Sequence, residues 1–565
     1  MLPDDHRPIH KSSSLYRMKG IETWYHFEFS DSNTDSELTK NQAHSHSKPV
    51  SVASITDSIS KDQAMLRKSS FSGQFFLEDG SAITFETGGT QLWTGSLKIS
   101  TSETDDLDEL ITTVQNSDAQ ALRVLSLLPS GTKLFKGVPQ SAATDNGCHE
   151  NYEAIVAEGK LLRVYRILIR TALCTQLLAK TVTAVCVSLL FGCQCLVSRR
   201  KPCSLSEATF EDFRSVPGIL KSPVLLTVRY SHAPTVFLIR YIGKWVAFRK
   251  QRRYLTAFLL SRQAVFGTGY LAKDGRYSLS FSGAMADSIN GIGSHFGDSP
   301  LFCYSHWVNQ FCKDSHLRVK NYRDLLRPMQ RLQIGLSDAN NSELLNRIKI
   351  GVTSTLLDMI EAGETQSLPV LRSPHKALQQ ASWDWHLVRQ FQTDHGKQTL
   401  QEIQVHYWKA ANEYATSLEG IRREELSRLL KDWWVLIEGV NSLENNASNV
   451  DTNPTGIEWI SRRSELDTVK PPNNLQAKQQ TSCSFDQMQQ EHTAIKPSGM
   501  AAYHLKDSSS REDPSQQAAG SIRSKRKRFI RENQATQNCI EITWNNALID
   551  DSSQERLVSF RTENT

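Results

Sequence analysis

The stretch Leu161-Leu162-Arg163-Val164-Tyr165-Arg166-Ile167-Leu168-Ile169-Arg170 runs directly into Thr171–Ser198, where Lys180 is the single charge. A helix rises about 1.5 Å per residue and a bilayer core of about 30 Å takes roughly 20 apolar residues, so this segment is long enough to span. A lysine at mid-bilayer costs roughly 2.5–3.5 kcal/mol, whereas a span that begins near Thr181 leaves Lys180 at the interface, where its stem snorkels. Lys180, Arg199, Arg200 and Lys201 are therefore the expected membrane-anchor residues. The alternative is a buried core helix.

Working outward, Pro202, Pro217, Pro223 and Pro234 interrupt shorter apolar pieces, and a basic aromatic run follows from Tyr241 to Leu255. That run either lies on an anionic membrane surface or packs its aromatics on a core. Residues 267–300 read as a Gly/Ser-rich loop. Helices are expected over Cys303–Val319, Tyr322–Leu336, Ser342–Glu361 and Ser373 to about Val440, the third opened by the start signal Ser342-Glu343. Within the fourth, Leu400, Tyr407, Tyr414 and Ile421 recur at sevens, the mark of a coiled-coil-like seam. A second register, Leu426, Leu430, Trp433, Ile437 and Val440, follows a slip near Gly420 and predicts a kink or a helical hairpin.

Of 565 residues, 39% are apolar and 22% charged, which fits a packed middle between polar tails. Residues 1–70 and 446–565 read as disordered, and 71–150 as a small α/β region with a β-meander at about 71–100, turned at Asp79-Gly80 and Gly88-Gly89. Residues 151–201 carry the basic helix and the span (about 171–198), 202–300 the amphipathic and loop region, and 301–445 a helical partner-binding domain. The fold class is thus mainly α, a membrane-anchored helical domain. A net charge of +5 forces neither a nucleic-acid nor a membrane-surface role. The ten cysteines form no secreted framework and read as reduced thiols. The polar start lacks the apolar core of a secretory signal, and the sequons at Asn340 and Asn446 are expected to be unused.

Catalytic signatures fail on inspection. The sequence holds no phosphate-cradling Gly-rich loop ending in Gly-Lys, no His-Glu-x-x-His and no Gly-x-Ser-x-Gly. Gly291, Gly293 and Gly297 imitate a dinucleotide loop with the third glycine one place late. Cys193 and Cys195 are too close for a zinc knuckle, and His386, His395 and His406 do not share a helical face. No enzyme, no cofactor and no metal are expected. Lys525-Arg526-Lys527-Arg528 is either a nuclear signal or a basic island.

A polar N-terminal region, a hydrophobic segment a third of the way along, a basic aromatic helix and a helical domain ending in heptads together resemble the vezatin-like myosin-binding membrane proteins, a group that includes the fungal peroxisome-inheritance receptor for class V myosin. The resemblance covers roughly residues 150–445 and rests on architecture. It implies an organelle-membrane adaptor, single-pass, on the peroxisome, with its C-terminal region in the cytosol. The implied partners are a motor-protein tail and the lipid bilayer, without a small-molecule substrate or nucleic acid. Trp408, Trp433 and Trp434 are the expected partner-binding residues, with packing in a bundle core as the alternative reading. The competing functional class is a soluble nuclear or chromosome-associated protein that uses Lys525–Arg528.

Overall fold

The computed structural model describes residues 17–28, 65–67, 74–86, 96–128, 131–136, 147–198, 218–293, 297–308, 311, 324–445, 456–470, 474–488, 522–533, 539–542, 546–551 and 554–559. The chain forms two compact units. The first comprises Met1–Tyr152, Arg253–Ala286 and Ile334–Thr565, and the second Glu153–Arg252 and Asp287–Gln333. In chain order the strands are β1 (Lys19–Glu28), β2 (Met65–Arg67), β3 (Gln74–Leu77), β4 (Ala82–Glu86), β5 (Ser96–Ser100), β6 (Lys133–Lys136), β7 (Cys148–Ile155), β8 (Tyr270–Leu271), β9 (Tyr277–Ser278), β10 (Ser288–Gly291), β11 (Pro300–Cys303), β12 (Met329–Ser337), β13 (Phe391–Thr393), β14 (Gly396–Gln398), β15 (Gln487–Met488), β16 (Cys539–Ile542), β17 (Asn546–Asp551) and β18 (Gln554–Ser559). The principal helices are α1 (Leu107–Ser126), α2 (Gly159–Ser198), α3 (Gly218–Trp245), α4 (Arg249–Ser261), α5 (Glu343–Ala362), α6 (Leu400–Thr416), α7 (Gly420–Asn445), α8 (Glu458–Thr468) and α9 (Ile522–Asn533).

In the first unit the sheet order is β12-β7-β1-β5-β4-β3-β2, with β6 pairing β1 and β15 pairing β6. Alternation along β1 divides its side chains between two faces. Tyr25 and Phe27 join Ile83, Phe85, Leu97 and Ile99 in a buried apolar cluster with Ala121, Leu122 and Val124 of α1. The Tyr25 hydroxyl donates to Asp118 of α1 at 2.6 Å, and Lys136 of β6 reaches the same carboxylate at 2.8 Å. Asp106 caps α1 by accepting from the Asp108 and Glu109 amides. Ser342 caps α5, which ends at Gly363 in the left-handed region (φ 92°). At Gly351 of α5 an added Cβ would lie 2.8 Å from Leu429 and 3.1 Å from Leu107, so a glycine is what lets α5 approach α1 and α7 closely.

The core also holds a charge pair. Glu150 of β7 and Arg262, just after α4, are both buried and face each other as a two-pronged pair at 2.9 and 3.0 Å. Every lobe is used: Tyr152 and Ser337 donate to Glu150, while Arg262 also donates to Thr353 of α5 and to the Leu336 carbonyl of β12. Burial alone pushes the Glu150 carboxyl up, but Arg262 and Lys349 outweigh it and hold the group below its ordinary value.

The second unit is built around the helical hairpin of α2 and α3. Its inner side mixes buried Ile169, Ala172, Ala179, Ile239 and Ile242 with polar contacts: Thr175 meets Thr235 at 3.0 Å, and His232 meets Gln176 at 3.1 Å and Thr183 at 3.2 Å. Apolar side chains also point outward, Leu178 being 67% and Phe237 66% exposed. Beyond the hairpin, Tyr165, Phe248 and Tyr304 surround Trp307 in a buried aromatic group. Strands β10 and β11 pair in parallel.

These elements correct the expected mainly α, membrane-anchored fold: the protein is mixed α/β. The meander at 71–100 is not a separate module, because β3, β4 and β5 continue through β1 and β7. Residues expected to be helical at Tyr322–Leu336 instead carry most of β12, with Leu332, Ile334 and Leu336 alternating inward. Stretches read as disordered contain β1, α8 and α9. The heptads stop where α6 ends at Thr416, so Leu400 and Tyr407 are buried while Ile421, after the break, is 68% exposed. Helices α6 and α7 pack on each other as a hairpin. Among the described residues, one segment, Gly159–Cys186 (28 residues), is long and apolar enough to cross a membrane.

Removing one partner of a buried ion pair leaves the other uncompensated, at a cost of about 3–5 kcal/mol. Glu150→Gln should lower the urea midpoint accordingly at pH 7. Because the folded carboxyl titrates below its ordinary value of 4.5, its contribution is complete above pH 4.5 and disappears as the pH falls through the folded value. The stability gap between wild type and Glu150→Gln should therefore narrow in acid; a gap independent of pH would show that Glu150 is not ionised in the fold.

Candidate active site

The face of the sheet opposite α1 carries polar residues on three adjacent strands. Antiparallel register sets Trp24 beside Lys98 and Glu22 beside His149. Since Glu22 and Trp24 are two apart on β1, all four side chains share one face. The Glu22 carboxylate lies 3.7 Å from the Lys98 ammonium and 3.9 Å from His149 Nδ1. Both separations are longer than a hydrogen bond. The Trp24 ring stands edge-on to His149 with centroids 4.6 Å apart, and Lys98 Nζ lies 5.3 Å from the centre of the Trp24 ring. Ser96, Ser100 and Asn151 occupy flanking positions of the same face. One carboxylate, one ammonium and one imidazole thus converge around an indole.

Other polar groups of the first unit are consumed by architecture. Asp338 accepts from the Thr268 amide and hydroxyl, from the Ser280 hydroxyl and from the Ser282 amide. Glu458 of α8 accepts from the Asn341 and Ser342 amides at 2.7 and 2.9 Å and so helps close the N-terminus of α5. Arg17 is gripped by Asp358 and Glu361 of α5. Cys148 is buried and its thiol is pushed up by that burial, which disfavours the thiolate a nucleophile requires. Among the described residues no group of three or more His, Cys, Asp or Glu side chains is placed to hold a metal ion.

The expected partner-binding tryptophans lie elsewhere, in the α6–α7 hairpin. Trp433 is fully buried and donates to Gln404 at 3.1 Å. Trp408 donates to the Leu430 carbonyl at 2.8 Å and stacks on Trp434 at 4.3 Å; both are half-buried. Two of the three tryptophans thus pack against each other and the third fills the core. Lys180 is half-buried on α2, and Arg199, Arg200 and Lys201 lie outside the described residues. In the basic run, Arg526 is buried against Glu103 and the Phe76 ring, and Arg528 pairs with Glu532. Sequence reasoning missed Glu22, Trp24, Lys98 and His149. The available signal was the alternation Ile21-Glu22-Thr23-Trp24-Tyr25-His26-Phe27, a two-faced strand inside a polar-looking region.

Comparison with known proteins supplies the context. A family model described as Pup-ligase protein matches residues 5–518. A Pup–protein ligase of Kineococcus radiotolerans is 25% identical over 229 residues, 40% of this chain and 47% of that protein. One from Micrococcus luteus is 26% identical over 196 residues, 34% of this chain and 40% of that protein. A depupylase of Acidothermus cellulolyticus is 27% identical over 147 residues, 26% of this chain and 28% of that protein. The chain spans about half the length of the curated ligases it matches. Two solved structures share the fold at 17% identity: PafA in complex with the prokaryotic ubiquitin-like protein Pup (TM-score 0.57, 97% of this chain and 90% of that one) and PafA in complex with ADP (TM-score 0.52, 94% and 95%).

These matches overturn the vezatin-like resemblance and, with it, the organelle-membrane adaptor, the peroxisomal placement, the lipid and class V myosin partners and the expectation of a non-enzyme. The nuclear alternative finds no support in them either. The physical source of the error is α2, whose apolar sequence packs in a hairpin with α3 through a stripe of mixed apolar and polar side chains.

Because Trp408 is held by a hydrogen bond and a ring stack, Trp408→Ala should lower folding stability by about 2 kcal/mol. Thermal unfolding followed by circular dichroism measures this; an unchanged midpoint would return Trp408 to the role of a dispensable surface residue.

Proposed function

We infer from one premise, that this chain belongs to the Pup-ligase family, that it acts in pupylation by joining a carboxylate of Pup to an amine of a target protein on the Glu22–Lys98–His149 face. The observation that carries this reading is the mixed charge of that face. Lys98 and His149 offer two positions for an anion, each within 4 Å of Glu22, which offers one for an ammonium. A site that unites a carboxylate with an amine needs both signs side by side.

A lysine amine with an ordinary pKa of about 10.4 arrives protonated near neutrality and is not a nucleophile in that form. Glu22 would receive the ammonium and take its proton as the C–N bond forms. Lys98 and His149 would hold the incoming carboxylate, fixing its carbon against the amine. Trp24 keeps both cations in place from one side and narrows the approach of water. A nucleotide, which one solved neighbour carries as ADP, supplies when bound the phosphoryl group that turns a carboxylate oxygen into a leaving group. Lys98 and His149 are the described residues of that face whose charge suits its phosphates. One partial relative is named a depupylase, so hydrolysis of the same bond, with water as the acceptor, is tested beside ligation.

The test incubates the full chain with Pup, a lysine-bearing protein and ATP, and follows conjugates by gel shift. Conjugate formation is expected, falling about 100-fold in Glu22→Gln. A parallel incubation with preformed conjugate reads its hydrolysis. If the wild-type chain neither makes nor removes conjugates, the reading is wrong.

A further inference from the structure

On the candidate face no second carboxylate position of these strands lies close to Glu22. The positions that share the face are Gly20, Glu22, Trp24, His26 and Glu28 on β1, Ser96, Lys98 and Ser100 on β5, His149, Asn151 and Glu153 on β7, and Ala82, Thr84 and Glu86 on β4. Its acidic positions are Glu22, Glu28, Glu86 and Glu153. Glu86 is registered on Ser96 and Ser96 on His26, four residues along β1 from Glu22. Glu153 is likewise four residues along β7 from His149, which faces Glu22, and Glu28 is six residues from Glu22 on β1, so at about 3.3 Å per residue each of the three lies about 13 Å or more from Glu22 along the strands, too far to share one ion with it. The connection from β4 to β5, residues 87–95, contains no Asp, Glu or His.

The electrostatics point the same way. Magnesium in nucleotide sites is held by one or two carboxylates together with the phosphates. Here the near carboxylate, Glu22, already faces an ammonium at 3.7 Å and an imidazole at 3.9 Å. A divalent ion bound to that oxygen would be repelled by Lys98 with twice the strength that a unit charge feels at the same distance.

We propose that this face, acting in the ligase reading above, grips the phosphates of a nucleotide through Lys98 and His149 themselves rather than through a carboxylate-held divalent cation. Lys98 then does part of what a metal does elsewhere, neutralising phosphate charge at a fixed point on a strand. Glu22 competes with the phosphates for Lys98, so its charge opposes nucleotide binding while serving the amine.

The two arrangements predict opposite signs for one substitution. ADP is titrated into the full chain by calorimetry, once with EDTA and once with magnesium. Affinity in EDTA should stay within about three-fold of that in magnesium, and Glu22→Gln should tighten binding about five-fold by releasing Lys98. Lys98→Met, which keeps the stem and so the packing on Trp24, should weaken binding at least about ten-fold, with Lys98→Arg restoring most of it. Circular dichroism verifies that each variant is folded. ADP binding that requires magnesium, or that vanishes in Glu22→Gln, overturns the proposal, as does no ADP binding in either solution. The conjugate assay judges the ligase reading separately.

Discussion

A carboxylate and a guanidinium taken out of water together set the terms for the first unit. Glu150 and Arg262 saturate each other and draw in Tyr152, Ser337, Thr353 and the Leu336 carbonyl, so that β7, β12, α5 and the end of α4 meet at one point. Such a pair need not add net stability over an apolar equivalent, since desolvating both ions is expensive. What it supplies is uniqueness: no other register of β7 gives the carboxylate its four donors. A slip by one residue would turn Glu150 to the polar face and bury His149.

The candidate site follows from that registry. With Glu150 committed to the covered side, His149 and Asn151 must stand on the other, and pairing with β1 sets His149 beside Glu22. Strand β5 then brings Lys98 next to Trp24 from the opposite edge of β1. The site residues sit on regular strands that α1 packs from behind, which restricts their movement better than a loop would. Packing and chemistry are separated by strand alternation, and the same strands serve both.

Legibility tracked the local character of each signal. The start of α5 was readable at Ser342 because a cap is a matter of a few consecutive residues, and the break at Gly420 was readable because a heptad slip is local too. Strand β1 was not, because averaging over seventy polar residues hid ten that alternate. Strand β7 was obscured because its inward position is a glutamate, so the pattern that marks a buried face was missing. Helix α2 misled because its apolar residues lie on both sides, Leu178 and Leu189 outward and Ile169, Ala172 and Ala179 inward beside Gln176, so composition alone matched a span. The site itself joins positions 22, 98 and 149, and nothing local connects them. Only the pairing of β5, β1 and β7 does so.

The first unit is assembled from three separated pieces of chain, with the second unit's segments lying between them in sequence. Arg17 finds its carboxylate partner Asp358 across a separation of 341 residues. At a ribosomal rate of about 5–20 residues per second, roughly 17–70 s pass between the synthesis of the two. Strand β1 and its neighbours must therefore wait on the ribosome, unclosed, until α5 emerges. High contact order of this kind makes folding slow and leaves apolar strand faces open to aggregation meanwhile. The protein's yield in a cell is thus tied to the rate of translation and the supply of chaperones, whatever the final stability of the fold.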